Sequence, residues 1–224
     1  MPEPILLSWS GGKDSNMTLY ALQQSDAHFV IALLTTVTEE YDRISMHGVR
    51  RELLEQQARA VDIPSHPIFI SSNSSNDDYE RKMDSVLRLY QEQGVTSVAF
   101  GDIFLEDLRR YREHNLKKIG MGALFPIWQR DTVAMAREFI DLGFKAVVTC
   151  VDTEALDASF AGRIIDETFL ADLPDEVDPC GENGEFHSFV FDGPTLKGAI
   201  PVTIGERVLR DERFCFCDVL PDEA

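Results

Sequence analysis

Ser8-Trp9-Ser10-Gly11-Gly12-Lys13-Asp14-Ser15 is the stretch from which the rest of the chain can be read. The apolar run Ile5-Leu6-Leu7 before it has the character of a buried strand. Ser15-Asn16-Met17-Thr18-Leu19-Tyr20-Ala21-Leu22 after it has that of a helix. A strand, a Gly-rich turn and a helix start together make a phosphate-binding geometry. Glycine lets backbone N–H groups approach an anion, and the unpaired N–H groups of a helix N-terminus point at it. Ser10 and Ser15 add hydroxyl donors, and Lys13 adds a positive charge. Two familiar phosphate loops do not fit. The G-x-x-x-x-G-K-[ST] pattern fails because Asp14 follows Lys13, and no G-x-G-x-x-G spacing occurs.

Outward from this turn, strand and helix signals alternate through the first two-thirds of the chain. That alternation predicts an α/β fold with a mostly parallel sheet covered by helices. Strands are expected at Phe29 to Leu34, His66 to Ile70, Val95 to Phe100 and Phe144 to Val151. Helices are expected at Arg50 to Val61, from the Ser71–Asn76 loop through Tyr90, at Leu105 to Ile119 and at Asp131 to Leu142. Leu105 to Ile119 is densely and oppositely charged, so it reads as an exposed helix laced with ion pairs, with Arg109, Arg110 and Arg112 among its surface partners. Beyond Asp152 a helix is expected over Ala155 to Leu170. Strands without intervening helices follow at Phe186 to Phe191, Ile200 to Ile204 and Phe214 to Leu220, with turns at Asp192-Gly193-Pro194 and Gly205-Glu206. Such a run favours antiparallel pairing, hence a smaller C-terminal α+β unit. The division falls at residues 1–125 and 126–224.

Bulk numbers narrow the classes. The 224 residues, 44% of them hydrophobic, suffice for a sizeable core. A net charge of −18 repels a polyphosphate backbone, so no nucleic-acid partner is expected. No apolar run approaches the ~20 residues of a membrane span, and no leader pattern opens the chain; a cytoplasmic protein without a membrane partner is expected. Cys150, Cys180, Cys215 and Cys217 form no C-x-x-C pair and read as buried reduced thiols, with Cys215 and Cys217 on one face of a strand.

In an open parallel sheet, ligands bind beyond the carboxyl ends of the strands. Three segments land there: Ser8 to Ser15; Thr35-Thr36 with Met46-His47-Gly48; and Gly101-Asp102. His47 is either a turn residue or a group that holds a phosphate or the adenine edge. Asp102 offers carboxylate oxygens suited to Mg²⁺. A second dense cluster is Cys180-Gly181-Glu182-Asn183-Gly184-Glu185-Phe186-His187. Its glycines permit a tight turn, and two carboxylates and a histidine surround them, which points to a catalytic or substrate-orienting loop.

S-G-G-x-D-S at Ser10 to Ser15 resembles the signature of the PP-loop ATP pyrophosphatases. Taken with Met46-His47-Gly48, Gly101-Asp102-Ile103, Pro126-Ile127-Trp128 and Glu182-Asn183-Gly184-Glu185-Phe186-His187, the chain resembles the diphthine–ammonia ligase family along essentially its whole length. Asn183 departs from the family's E-G-G-E-[YF] segment, which carries Gly there. The resemblance implies a HUP-like, Rossmann-like nucleotide-binding domain and an ATP-dependent amide ligase. ATP would adenylate a carboxylate, pyrophosphate would leave, and free ammonia would displace AMP. It implies ATP and Mg²⁺ as cofactors, with Ser8, Ser10, Gly11, Gly12, Lys13, Asp14, Ser15, Thr35, Met46, His47, Gly48 and Gly101 around the nucleotide and Asp102 on the metal. Lys13, Asp102, Glu182 and Glu185 would be catalytic, and Glu182, Asn183, Gly184, Glu185 and His187 would meet the substrate. The acceptor carboxylate would be diphthine on a translation elongation factor or a small molecule, and a homodimer is allowed for. Two rivals are a tRNA-modifying PP-loop enzyme (thiolation or lysidine-type), which wants a basic surface, and a nucleotide sensor, which binds ATP and releases no AMP.

Overall fold

A computed structural model describes residues 2–222. The first sheet is built from β1 (Glu3–Ser8), β2 (His28–Thr38), β3 (Arg43–Ile44), β4 (Ser65–Ile70), β5 (Ser97–Ala99) and β6 (Gly122–Leu124). β1 lies between β2 and β5, β4 flanks β2, and β6 flanks β5, all in parallel. β3 pairs antiparallel with the end of β2. The chain steps one way from β1 to β2 to β4, then returns to β5 on the other side of β1. That reversal opens a crevice between the carboxyl ends of β1 and β5, where parallel sheets bind ligands.

The helices are α1 (Lys13–Gln23), α2 (Arg51–Val61), α3 (Asn76–Gln91) and α4 (Glu106–Lys118), followed by α5 (Thr132–Asp141) and the short α6 (Glu167–Asp172). Side-chain caps set several starts. Ser75 accepts from the Asp78 amide, Asp131 from Ala134 and Asp166 from Phe169. Each cap is worth about 1 kcal/mol. α4 is the exposed, ion-paired helix its charge predicts, with Leu116 its one buried residue.

The second sheet contains β7 (Lys145–Asp152), β8 (Phe186–Asp192), β9 (Val202–Arg210) and β10 (Phe214–Pro221), in the order β8-β7-β10-β9 and antiparallel throughout. The expected α/β unit with a parallel sheet and the smaller C-terminal α+β unit are both present. The two sheets do not stand apart. Leu53 and Leu54 of α2 share one core cluster with Val147, Phe189 and Val219 of the second sheet. Met17 of α1 joins Phe139, Val148 and Phe186 in another. Leu87 and Leu116 cover the opposite face of the parallel sheet against Leu6 and Val98. Each large side chain so buried contributes about 1.5–3 kcal/mol.

Two expectations need correction. The helix over Ala155 to Leu170 is a 3₁₀ turn at Ala158–Phe160 and then α6. Gly162, at φ +80°, interrupts it, and the stretch crosses β7 there, Ile164 bridging to Val147. Gly205-Glu206 is no turn: β9 runs through it, and Gly205 lets the strand close on β10, where a Cβ would meet the Asp218 carbonyl at 2.9 Å. The reversal comes instead at Asp211 and Glu212, both at positive φ. Short β3 and β6 carry too few residues to show a period.

All four cysteines are free and buried, and Cys215 and Cys217 both face one core cluster. Among the described residues no helix is long and apolar enough to cross a membrane.

Candidate active site

At the end of β1 the chain turns sharply, and the turn is held from both sheets. Gly11 adopts φ +75°, and a Cβ there would sit 2.6 Å from Gln57 Oε1. Gln57, on α2 and fully buried, is tied to three partners. Its Oε1 accepts from Trp9 Nε1 at 2.8 Å, and its Nε2 donates to the Gly11 carbonyl at 3.0 Å and the Val190 carbonyl at 2.6 Å. The Val190 amide donates back to the Gly11 carbonyl at 2.9 Å, and the Lys13 amide donates to Ser188 Oγ at 3.1 Å. Thr35 Oγ1 donates to the Trp9 carbonyl at 2.6 Å. Asn16 Nδ2 donates to the Gly11 and Gly12 carbonyls, while its Oδ1 accepts from Thr195. The phosphate loop is therefore shaped by the first sheet and pinned by β8 of the second.

These elements close around a cavity of about 390 Å³, large enough for a nucleotide-sized ligand. The loop residues Ser8, Ser10, Gly12, Lys13, Asp14 and Ser15 line it, as do Thr35, Met46, His47, Gly101 and Asp102. From the second half come Glu182, Gly184 and His187. Gly11 and Gly48 are not on its wall. Both are turn residues at positive φ, and a Cβ on Gly48 would meet the Phe216 ring at 2.6 Å. Asn183 and Glu185 are not on it either. Glu185 Oε1 accepts from the Asp178 amide at 3.0 Å and from Asn183 Nδ2 at 2.9 Å, so this pair shapes the loop that carries Glu182.

The electrostatics are those of an anion site with an acidic margin. Lys13 is 1% exposed and ion-paired with Asp14. Burial alone would discharge it, but Asp14 and the nearby Cys180 outweigh burial and hold it as an ammonium. Asp102, after β5, is engaged by Arg112 of α4, with Nη2 at 3.1 Å from Oδ1 and Nε at 2.6 Å from Oδ2. Glu182 Oε1 accepts from the Ile103 amide at 2.6 Å and the Phe104 amide at 3.2 Å. Burial pushes the Glu182 carboxyl up to about 7; those amides oppose it, and Asp14 and Asp102 add to it. Burial also pushes the Cys180 thiol up to about 12 despite Lys13, so it stays protonated, with its S–H on the Thr132 carbonyl.

Among the described residues no group of three or more His, Cys, Asp or Glu is arranged to hold a metal by itself. Mg²⁺ does not require one, since it commonly binds one or two carboxylates together with substrate phosphates. Asp14 and Asp102, both on the cavity wall, fit that donor set.

Comparison with known proteins decides the family. The N-terminal domain model of diphthamide synthase matches residues 4–123, and the C-terminal domain model matches residues 131–219. The chain belongs to the diphthamide synthase family. It is 28% identical to the diphthine–ammonia ligase of Danio rerio, over 91% of this chain and 88% of that protein. It is 27% identical to the human diphthine–ammonia ligase, covering 89% of this chain and 83% of the relative. The Schizosaccharomyces pombe ligase is 27% identical over 89% of this chain, which spans 36% of its length.

In this family member, sequence reasoning missed Arg112. It belongs to the charged face of an exposed helix, yet it reaches in to Asp102 and lies 4.4 Å from the Phe100 ring centre. Gln57 and Ser188 were also missed. Nothing in their local sequence marks a buried amide or hydroxyl whose partner lies more than 100 residues away.

Proposed function

We propose that this chain is an ATP-dependent ligase of the diphthine–ammonia ligase type. It activates a carboxylate as its acyl-adenylate, releases pyrophosphate, and passes the acyl group to ammonia with release of AMP. The observation that supports the reading is the loop of residues 8–15 itself, braced on two sheets, with Ser10, Ser15 and Lys13 on the wall of one cavity.

Each residue then has a task that follows from its placement. Ser10, Ser15 and the Asp14 and Ser15 amides of α1 take phosphate oxygens, and Lys13 offsets charge that grows on the departing pyrophosphate. Thr35, Met46 and His47 border the nucleoside side of the cavity, beyond β2. Asp14 and Asp102 would hold Mg²⁺ with the phosphates, and the ion would supply further charge stabilisation when bound. Arg112 keeps Asp102 oriented meanwhile. Glu182, with its amide-bonded oxygen, borders the acceptor side. Glu185 and Asn183 act through the loop they hold. Carboxylates are poor electrophiles at neutral pH, and AMP provides the leaving group.

The acceptor is diphthine and the nitrogen source ammonia, as the relatives' names suggest, with the diphthine carried on a translation elongation factor as the resemblance implies. Four unpaired cysteines and the use of ATP support a cytoplasmic setting. The protonated Cys180 and the net charge of −18 run against tRNA thiolation.

The test is a nucleotide balance. With ammonium and a diphthine-carrying elongation factor, the spent nucleotide should be AMP with pyrophosphate, and Lys13→Ala or Asp102→Ala should reduce pyrophosphate release at least about 100-fold. ADP with orthophosphate as the products would overturn the reading.

A further inference from the structure

Two imidazoles face each other inside the cavity. The rings of His47 and His187 are 4.5 Å apart, centre to centre, and tilted by 35°. They come from opposite halves of the chain and are bonded differently. His47 Nδ1 donates to the Ser188 carbonyl at 3.4 Å, which fixes that ring against the backbone of β8. His187 also belongs to β8 and lines the cavity, but among the described residues no protein group bonds either of its ring nitrogens. The ring is half-buried, and those two nitrogens carry no protein hydrogen bond. The cavity is the direction from which a partner can come.

Both rings keep a free lone pair at neutral pH. Burial pushes His187 down to about 4, and burial together with His187 pushes His47 down to about 3. An anion such as AMP in the same cavity favours the imidazolium and moves both back up.

The reaction proposed above, on which this inference rests, requires a proton acceptor that no residue has yet supplied. When ammonia adds to the acyl carbon, its nitrogen becomes positively charged and must lose a proton before the amide forms. Three of the other groups on the wall are committed. Lys13 is an ammonium, Cys180 keeps its proton, and Asp102 is paired with Arg112. Glu182 has one oxygen on two amides and faces Asp14 and Asp102, the carboxylates that would hold Mg²⁺.

We propose that His187 is a catalytic base for amide formation. Ammonia donates its electron pair to the carbonyl carbon of the acyl-adenylate, giving a tetrahedral adduct. A His187 ring nitrogen removes one proton from the adduct's nitrogen. The carbon–oxygen bond to phosphate breaks, AMP leaves with that electron pair, and the imidazolium returns its proton to water. His47 backs the ring and limits its rotation.

The experiment compares wild type with His187→Gln, and with His187→Asn as a second variant, using a diphthine-carrying elongation factor. Three rates are measured: ATP–pyrophosphate exchange, amide formation with ammonium, and hydroxamate formation with hydroxylamine. Hydroxylamine is far less basic than ammonia and loses its proton to water unaided. The ratio of amide formation to exchange should fall about 100-fold in both variants, and the ratio of hydroxamate formation to exchange should fall less than about a tenth as far. Amide formation that keeps pace with exchange would overturn the proposal. So would hydroxamate formation that falls as steeply as amide formation, or a loss of exchange with a raised KM for ATP, which would make His187 a phosphate ligand. Absence of exchange in the wild-type protein would remove the ligase reading, and this inference with it.

Discussion

Gln57 shows how much one amide can hold. Its two ends bond three groups on two segments, the loop of residues 8–15 and β8, and it is fully buried. Gln57→Leu keeps the volume and strands the Trp9 Nε1, Gly11 carbonyl and Val190 carbonyl partnerships. The substitution should destabilise the protein by about 3 kcal/mol, read from the urea midpoint. It should also weaken ATP binding about tenfold, the equivalent of about 1.4 kcal/mol, read by calorimetry. Gly11 and Gln57 answer each other: a side chain at 11 would collide with the amide that needs the 11 carbonyl. The diglycine was visible in the sequence because a phosphate turn demands it locally. Gln57 was invisible because its demand comes from Val190, 133 residues away.

Between elements, the ion pairs that join the halves matter in the same way. Asp218 of β10 accepts from Arg43 Nη1 at 2.8 Å and from Arg50 Nη2 at 2.6 Å, and Arg43 also donates to the Gly48 carbonyl. The second sheet thereby clamps the Met46-His47-Gly48 turn that borders the cavity. Burial raises the Asp218 carboxyl, but the bonds from Arg50 and Arg43 outweigh it and hold it down at about 2. Because the folded-state value lies below the ordinary ~3.9, this contribution is present above about pH 4 and is lost as pH falls toward about 2. Asp218→Asn should cost about 1–2 kcal/mol at pH 7, and the gap from wild type should narrow over that acidic window in urea titrations. Long elements such as α2, α3 and β2 were legible because their apolar periods repeat. β3 and β6 were not, since strands of two and three residues are defined by their neighbours. The helix expected beyond Asp152 failed for a related reason: its apolar residues serve β7 and the second sheet rather than one helical face.

At the scale of the whole molecule, the halves share cores that contain residues of both. A boundary drawn from composition describes strand direction, not independence. The full chain should therefore unfold in a single calorimetric transition with equal van't Hoff and calorimetric enthalpies. Two resolved peaks would contradict the shared cores. The net charge of −18 was the most readily available whole-chain number, and it sits around a pocket whose inner wall carries Lys13 and Arg112. Overall acidity and a local cationic floor coexist because they occupy different layers.

The hydrogen bond between Gly11 and Val190 has a bearing on birth as well as on the finished state. On the ribosome the loop is made 179 positions before the strand that fixes it. At about 5–20 residues per second, the nascent loop waits on the order of ten seconds or more without its clamp. The newborn chain cannot hold ATP firmly during that interval, so nucleotide capture waits until the second sheet has been made.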